Sequence, residues 1–230
     1  MPQTAADGAP ELFQARPLTL ATWSDLELLF DLPGGSIVRG CWCMYFRTSG
    51  KASSPAGAQD KPALVQRALV QRAPVQQAQV QQAHSRGARN KVALCDLVER
   101  GVVPGLVGYL DGSPAGWISL GPREDYLKLR RSRIMKPADN TEVWSVVCSY
   151  VAKPHRGEGL QHRLLAAAIE YARDNGALVL EAYPVDVAER CRDDSMFFGS
   201  RSLYERAGFK EVVRRSPTRV LMRLALRSAG

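Results

Sequence analysis

The residues best placed to do chemistry lie in one run, Val151-Ala152-Lys153-Pro154-His155-Arg156-Gly157-Glu158-Gly159-Leu160-Gln161. A stretch rich in Val and aromatic residues precedes it and a helical pattern follows, so the run reads as a strand-to-helix turn. Glycines at such a turn let the backbone approach a ligand closely, and the first N–H groups of the helix point at any negative group there. The chemistry is that of a pyrophosphate cradle; the plain alternative is a tight turn. No third glycine completes a dinucleotide fingerprint and no Gly-Lys-Ser/Thr completes a phosphate loop, which tells against nicotinamide chemistry and nucleotide hydrolysis.

The elements that must hold this turn follow from pattern. Val143 to Val151 reads as the strand before it, and Gly157 to Asn175 as the helix after it, with Leu160, Leu164, Leu165, Ala168, Ile169 and Ala172 on one face and Gly176 at its end. Leu178 to Tyr183 is the next strand, so a right-handed strand–helix–strand unit spans residues 143–183. Upstream, Leu18 to Ala21 reads as a short strand. Thr22 caps a helix through Leu26, Leu29 and Phe30 that stops before Pro33-Gly34-Gly35. Asn90 to Glu99 is helical, and Leu106 to Leu110 with Ala115 to Leu120 flank the hairpin signal Asp111-Gly112. Ser200 to Ala207 is a short helix, and Phe209 to Arg214 with Arg219 to Leu226 close the chain as a hairpin around Ser216-Pro217.

A chain of 230 residues, 45% hydrophobic and 23% charged, can bury a substantial core. Its net charge of +8 and pI near 9.5 favour an anionic partner such as a nucleic acid or a polyphosphate cofactor. No secretory signal and no apolar membrane segment is readable, which predicts a cytoplasmic protein with no membrane partner. Five cysteines read as reduced, mostly buried thiols, and Cys41 and Cys43 would share a face on a strand. His84, His155 and His162 stand at no ligand spacing from a Cys pair, so no metal is expected. Residues 63–83 run in Ala/Val/Gln pentads. A five-residue period turns each Val about 140° around a helix, so no apolar stripe forms. The pentads belong to a low-complexity loop insertion over residues 50–89, while residues 1–16 read as a flexible N-terminus of one domain covering 1–230.

Arg156-Gly157-Glu158-Gly159-Leu160-Gln161, with Leu164-Leu165 after it and Leu203-Tyr204-Glu205-Arg206-Ala207-Gly208-Phe209 downstream, resembles the GNAT superfamily of acyl-CoA-dependent N-acyltransferases, most strongly over about residues 100–226. Gly40 to Phe46 and Gly121 to Tyr126 look like a bacterial branch of it. The resemblance implies an α/β fold in three layers, with a mixed, curved central sheet of about six to seven strands flanked by helices. It also implies acetyl-CoA as acyl donor. In the family's Arg/Gln-x-x-Gly-x-Gly/Ala turn, which binds the coenzyme pyrophosphate, the matching positions are Arg156, Gly159 and Gln161. The expected coenzyme-binding residues are Val151, Ala152, Arg156, Gly157, Glu158, Gly159, Leu160 and Gln161. Three positions depart from the pattern: Gln161 replaces a small residue, Lys153 holds a slot often given to proline, and Phe197 stands where many members have Asn.

What the resemblance implies for catalysis divides among few residues. Val147, Ser149 and Val151 would pair with the pantetheine arm, and an N–H near Cys148 to Ala152 would meet the oxyanion. Tyr204 matches the tyrosine that protonates, or donates a hydrogen bond to, the leaving thiolate. A phenol (pKa ~10) is a weaker acid than a thiol (~8.5), so full transfer is uphill by roughly 2 kcal/mol and hydrogen bonding is part of the role. An alkyl ammonium acceptor must lose a proton, and Glu181 is the preferred base; strand alternation sets it beside Tyr183, where pairing with an Arg is the alternative. Glu142 and Asp186 are weaker candidates, and Cys148 is either a packed thiol or a site-lining residue. Trp42, Tyr45 and Phe46 could wall an acceptor cleft, and Glu124, Asp125 or Asp186 attract an amine, with ordinary core and surface as the plain reading.

The reading is acetyl transfer from acetyl-CoA to a primary amine of a small molecule by direct attack in a ternary complex. The alternatives are transfer to a protein Lys or N-terminus and a non-catalytic acyl-CoA sensor. A homodimer is left open. Nucleic-acid binding is disfavoured: Arg130, Arg131 and Arg133, and Arg214, Arg215, Arg219 and Arg223, form two basic clusters, but no aromatic RNA motif or DNA-reading helix accompanies them.

Overall fold

In the computed structural model, which describes residues 12–48, 86–186 and 197–226, seven strands join in one sheet. They are β1 (Phe13–Pro17), β2 (Gly105–Leu110), β3 (Ser113–Pro122), β4 (Trp144–Val151), β5 (Val179–Ala182), β6 (Lys210–Ser216) and β7 (Arg219–Ala225), in the spatial order β1-β2-β3-β4-β5-β7-β6. Every neighbouring pair is antiparallel except β4 and β5. The helices are α1 (Trp23–Asp31), α2 (Ser36–Cys41), α3 (Arg86–Glu99), α4 (Leu127–Arg131), α5 (Leu160–Asp174) and α6 (Arg201–Arg206). Helix α5 is the crossover between β4 and β5, as the strand–helix–strand pattern predicts.

The two sheet faces carry separate cores. On one, Leu160, Leu164, Leu165, Ala168, Ile169 and Ala172 of α5 are all buried, the six positions that the 3.6-residue period selects, and they pack with Tyr204 and Phe209. On the other, α1, α2 and α3 cover Val107, Tyr109, Trp117 and Tyr150. Leu164 shows how closely α5 seats: a Cβ on Gly108 or Gly116 would lie 2.7 or 2.8 Å from its methyl groups. Two facing glycines form the notch that receives it. Leu164→Ala should therefore empty a fully buried site and cost about 2–5 kcal/mol in urea unfolding; a change below about 0.5 kcal/mol would mean that the notch collapses freely.

Several boundaries differ from expectation. Residues 13–16, expected to be flexible, are part of β1, held on the sheet edge by pairing with β2 and by Leu12 N–H donating to Asp111 Oδ1 at 3.0 Å. The strand expected at Leu18 to Ala21 is instead the end of that edge and a 3₁₀ turn, Leu20–Thr22. Helix α3 begins at Arg86, inside the stretch expected as loop insertion; the pentads themselves lie outside the described residues. Cys41 and Cys43 are not on a strand. Cys41 ends α2, and Trp42 and Cys43 follow in left-handed conformation, with φ of 45° and 50°.

The feature that positions the site is a mismatch in length. β4 pairs with β5 only over Trp144–Val146, opposite Leu180–Ala182, while its pairing with β3 runs on to Val151. Beyond Val146 the side of β4 toward β5 is therefore open.

Candidate functional site

Ala152 N–H donates to Ala115 O on the β3 side at 2.9 Å. Strand alternation then turns the backbone groups of Ser149 and Val151 toward the open side, where Arg156 Nε donates to Val151 O at 3.2 Å. The chain turns through Lys153–His155, and Gly157 and Gly159 adopt φ of +91° and +76°. A Cβ at either would meet nothing within 4 Å, so the left-handed backbone, not crowding, is what selects glycine. Gly159 starts α5, a helix of 15 residues, and the N–H groups of residues 157–161 donate to no backbone carbonyl among the described residues.

A cleft of about 600 Å³ opens over this turn. Of the eight expected coenzyme-binding residues, Val151, Arg156, Gly157, Gly159, Leu160 and Gln161 line it; Lys153, His155 and His162 add basic groups. Ala152 and Glu158 do not line it. Ala152 is fully buried, and Glu158 turns to His155, whose Nδ1 is 3.4 Å from its Oε2. The cleft also reaches Tyr150, whose hydroxyl is buried with no hydrogen-bond partner. Such an orphan is a donor waiting for a ligand. Free N–H groups, cations and an unpaired hydroxyl together fit a phosphate-bearing molecule with a polar arm.

The departures from the family pattern have structural roles. Gln161 Nε2 donates to Ser149 Oγ at 2.8 Å, tying the first turn of α5 across to β4. Phe197 packs at the open edge, its carbonyl accepting from Ser149 Oγ at 3.4 Å. Lys153 lies in the cleft wall.

On the far side of Phe197 is a second cavity of about 310 Å³, sharing Ile37 and Phe197 with the first. Tyr45, Phe46, Val147 and Phe198 make it apolar, and Cys41, Cys43 and Cys148 line it together with Arg219. The three thiols are unequal. Cys148 S–H donates to Cys43 and so lowers the Cys43 pKa, assisted by Trp117 Nε1–H at 3.1 Å and by the charge of Arg47, while burial opposes. The same hydrogen bond, with burial, pushes Cys148 well up. Burial and then Cys43 raise Cys41 to about 11. Cys148 thus lines the site; no His lines this cavity to activate it among the described residues.

Glu181 lies elsewhere from a free base. It is fully buried on β5, accepting from Tyr183 Oη at 2.6 Å and from Arg223 Nε at 2.7 Å, with Arg123 Nη1 at 3.6 Å. Tyr183 also meets Ser145 Oγ at 3.0 Å. Arg223 continues to both oxygens of Asp139. Tyr204 is buried, its ring 5.1 Å from that of Phe209 in an edge-on arrangement. A Cβ on Gly199 would lie 3.1 Å from the Tyr204 ring and 3.4 Å from Gln161 Nε2, which sets Tyr204 beside the start of α5; Tyr204 is not among the described residues that line either cavity. Burial, then the neighbouring Cys148, raises its pKa.

Among the residues considered for an acceptor pocket, Tyr45 and Phe46 line the second cavity, whereas Trp42 is buried against Trp23. Asp125 pairs with Arg47, and Asp186 with Arg201 and Arg214, so neither faces the cavity. Ile37, Tyr150, Phe198 and Arg219 were not identified from sequence as site residues. Among the described residues, no cluster of three or more His, Cys, Asp or Glu could hold a metal ion, and no helix is long and apolar enough to cross a membrane.

The cleft lies where two parallel strands splay in a mixed seven-stranded sheet, and its lining fits a phosphate-bearing ligand. The family model described as the acetyltransferase (GNAT) family matches residues 75–209, more than half of the chain, and the chain belongs to that family. It is an acetyl-CoA-dependent acetyltransferase. No curated protein matches it. Similar solved structures include a GNAT-family acetyltransferase from Streptococcus agalactiae (13% identity, 94% of this chain and 96% of that chain, TM-score 0.49). Others are an N-acetyltransferase from Staphylococcus aureus (14%, 94% and 99%, 0.46) and PaiA N-acetyltransferase from Thermoplasma acidophilum in complex with coenzyme A (14%, 93% and 99%, 0.44).

Proposed function

We propose that the protein transfers an acetyl group from acetyl-CoA to a primary amine of a free small molecule in the cytoplasm, by direct attack in a ternary complex. One observation carries this reading: a basic cleft and a separate apolar cavity meet at the open edge of β4, sharing Ile37 and Phe197. Two substrates can be held at once with their reacting ends adjacent, which is the condition for direct transfer.

Coenzyme phosphates are held by the N–H groups at Gly157 to Gln161 with Arg156 and Lys153, and the pantetheine arm by the open backbone of Ser149 and Val151. A β4 N–H at the splay stabilises the carbonyl oxygen as charge develops on it. The neutral amine nitrogen bonds to the acetyl carbon as the carbon–sulfur bond breaks, and the proton that the nitrogen then sheds passes through water to the departing thiolate. Tyr204, its phenol made less acidic by burial, acts on the departing sulfur chiefly as a hydrogen-bond donor. Glu181, with both carboxylate oxygens already engaged, serves as the anion of a buried ion cluster, and the acceptor ammonium loses its proton to water.

The test is release of coenzyme A thiol from acetyl-CoA against a panel of primary amines, with products read by mass. Amine-dependent release, matched by a product heavier by one acetyl group, is expected. Tight acetyl-CoA binding with no amine-dependent release would replace this reading with that of a sensor.

A further inference from the structure

The second cavity lacks the feature an ammonium acceptor calls for: among its described lining residues there is no carboxylate, and the one charged side chain is a cation, Arg219. The arginines around it are matched to acids. Arg214 meets Asp186 and Glu211, Arg223 meets Glu181 and Asp139, Arg123 lies beside Glu181, and Arg47 meets Asp125. Arg219 is different. Its Nη1 donates to Tyr183 O at 2.7 Å and its guanidinium lies over the Phe198 ring, 4.5 Å from the centroid; no acidic partner is found for it among the described residues. Burial lowers its pKa.

A guanidinium held over an aromatic ring and by a backbone carbonyl keeps its remaining N–H groups in a fork that matches a carboxylate with two parallel hydrogen bonds. A bare amine entering this cavity would meet an uncompensated positive charge in an apolar wall. A zwitterion would not.

On the reading that this cavity takes the acceptor, we propose that the acceptor is an amino acid with an apolar, aryl-sized body, its carboxylate held by Arg219 and its amino group directed to the open edge of β4. The cavity's size agrees: about 310 Å³ is at the lower end of ligand-pocket volumes and suits one amino acid rather than a peptide. The aromatic and aliphatic walls, Tyr45, Phe46, Val147, Phe197 and Phe198, suit an apolar side chain.

The test uses a matched pair of product-like ligands that need no turnover, N-acetylphenylalanine and N-acetylphenethylamine, which differ by the carboxylate. Each is titrated calorimetrically into the full-length protein with coenzyme A present, for the wild type and for Arg219→Gln and Arg219→Lys. The coenzyme titration itself reports whether the acyl-donor site exists, so failure of the acetyltransferase reading shows separately. The carboxylate form should bind about 10–100-fold tighter to the wild type, as expected for a charge-assisted hydrogen-bonded pair. That advantage should fall below about threefold in Arg219→Gln and be intermediate in Arg219→Lys, which keeps the charge and loses the fork. Equal affinity for the two ligands, binding of neither by a protein that binds coenzyme A, or a carboxylate preference that survives in Arg219→Gln would overturn the proposal.

Discussion

Tyr204→Phe is expected to lower kcat about 100-fold or more while leaving acetyl-CoA affinity unchanged, the range lost with one hydrogen-bond donor aimed at a developing charge. Removing one hydroxyl from a ring that stays packed on Phe209 leaves the fold in place. A merely structural tyrosine would show a stability change and little change in kcat. The pH dependence separates the same alternatives. Burial and Cys148 raise the Tyr204 pKa above its ordinary value, so its donor form persists through the alkaline range and should produce no falling limb in kcat below about pH 10. With no carboxylate or histidine among the described lining of the acceptor cavity, kcat/KM should instead climb about tenfold per pH unit up to the acceptor's own pKa, as the neutral amine becomes available. A plateau near pH 6–7 would reveal a protein base beyond the described lining residues.

Glu181→Gln has the largest expected effect on stability, a loss of about 3–5 kcal/mol in denaturant unfolding. The substitution keeps the volume and removes the anion, leaving Arg123 and Arg223 facing each other in a site where the carboxylate is fully buried. The folded fraction should retain kcat within a few-fold. The opposite pattern, unchanged stability with a collapse of kcat, would restore Glu181 as the general base. Asp139, on the outer side of Arg223, has its carboxyl held well below the usual range by that guanidinium. Because its folded pKa is depressed, its contribution is complete above the unfolded value of about 3.9 and is lost as pH falls through the lower folded one, so acid should loosen the cluster from outside.

Much of the frame was legible because it is built from local rules. The period of α5 named its six buried residues, Asp111-Gly112 fixed the β2–β3 hairpin with both residues at positive φ, and the glycines at 157 and 159 marked the turn over the cleft. What escaped has physical reasons. β1 is an edge strand with mostly partly exposed or exposed residues, so it shows no strong alternation. Helices α2 and α4 have six and five residues, each burying one side chain, too short for a period to show. The partner of Glu181 is set by register: Arg223 stands opposite it on β7, and no spacing along the chain announces that. The second cavity draws on segments around residues 37–46, 147–148, 197–198 and 219, which only the fold brings together. In sequence Arg219 is one of a basic cluster; its distinction, that no acidic partner meets it among the described residues, is one that charge counting does not register.

The central claim is that the β4–α5 turn holds the coenzyme. Calorimetric titration of acetyl-CoA into the wild type and into Gly159→Trp, with circular dichroism to confirm the fold, tests it most directly. The wild type should bind in the range of about 1–100 μM, typical of enzyme substrates. The variant, which places an indole where φ is +76° and the cleft is open, should lose at least about tenfold in affinity. A wild type that binds no acetyl-CoA, or a folded Gly159→Trp that binds it as well as the wild type does, would contradict the account.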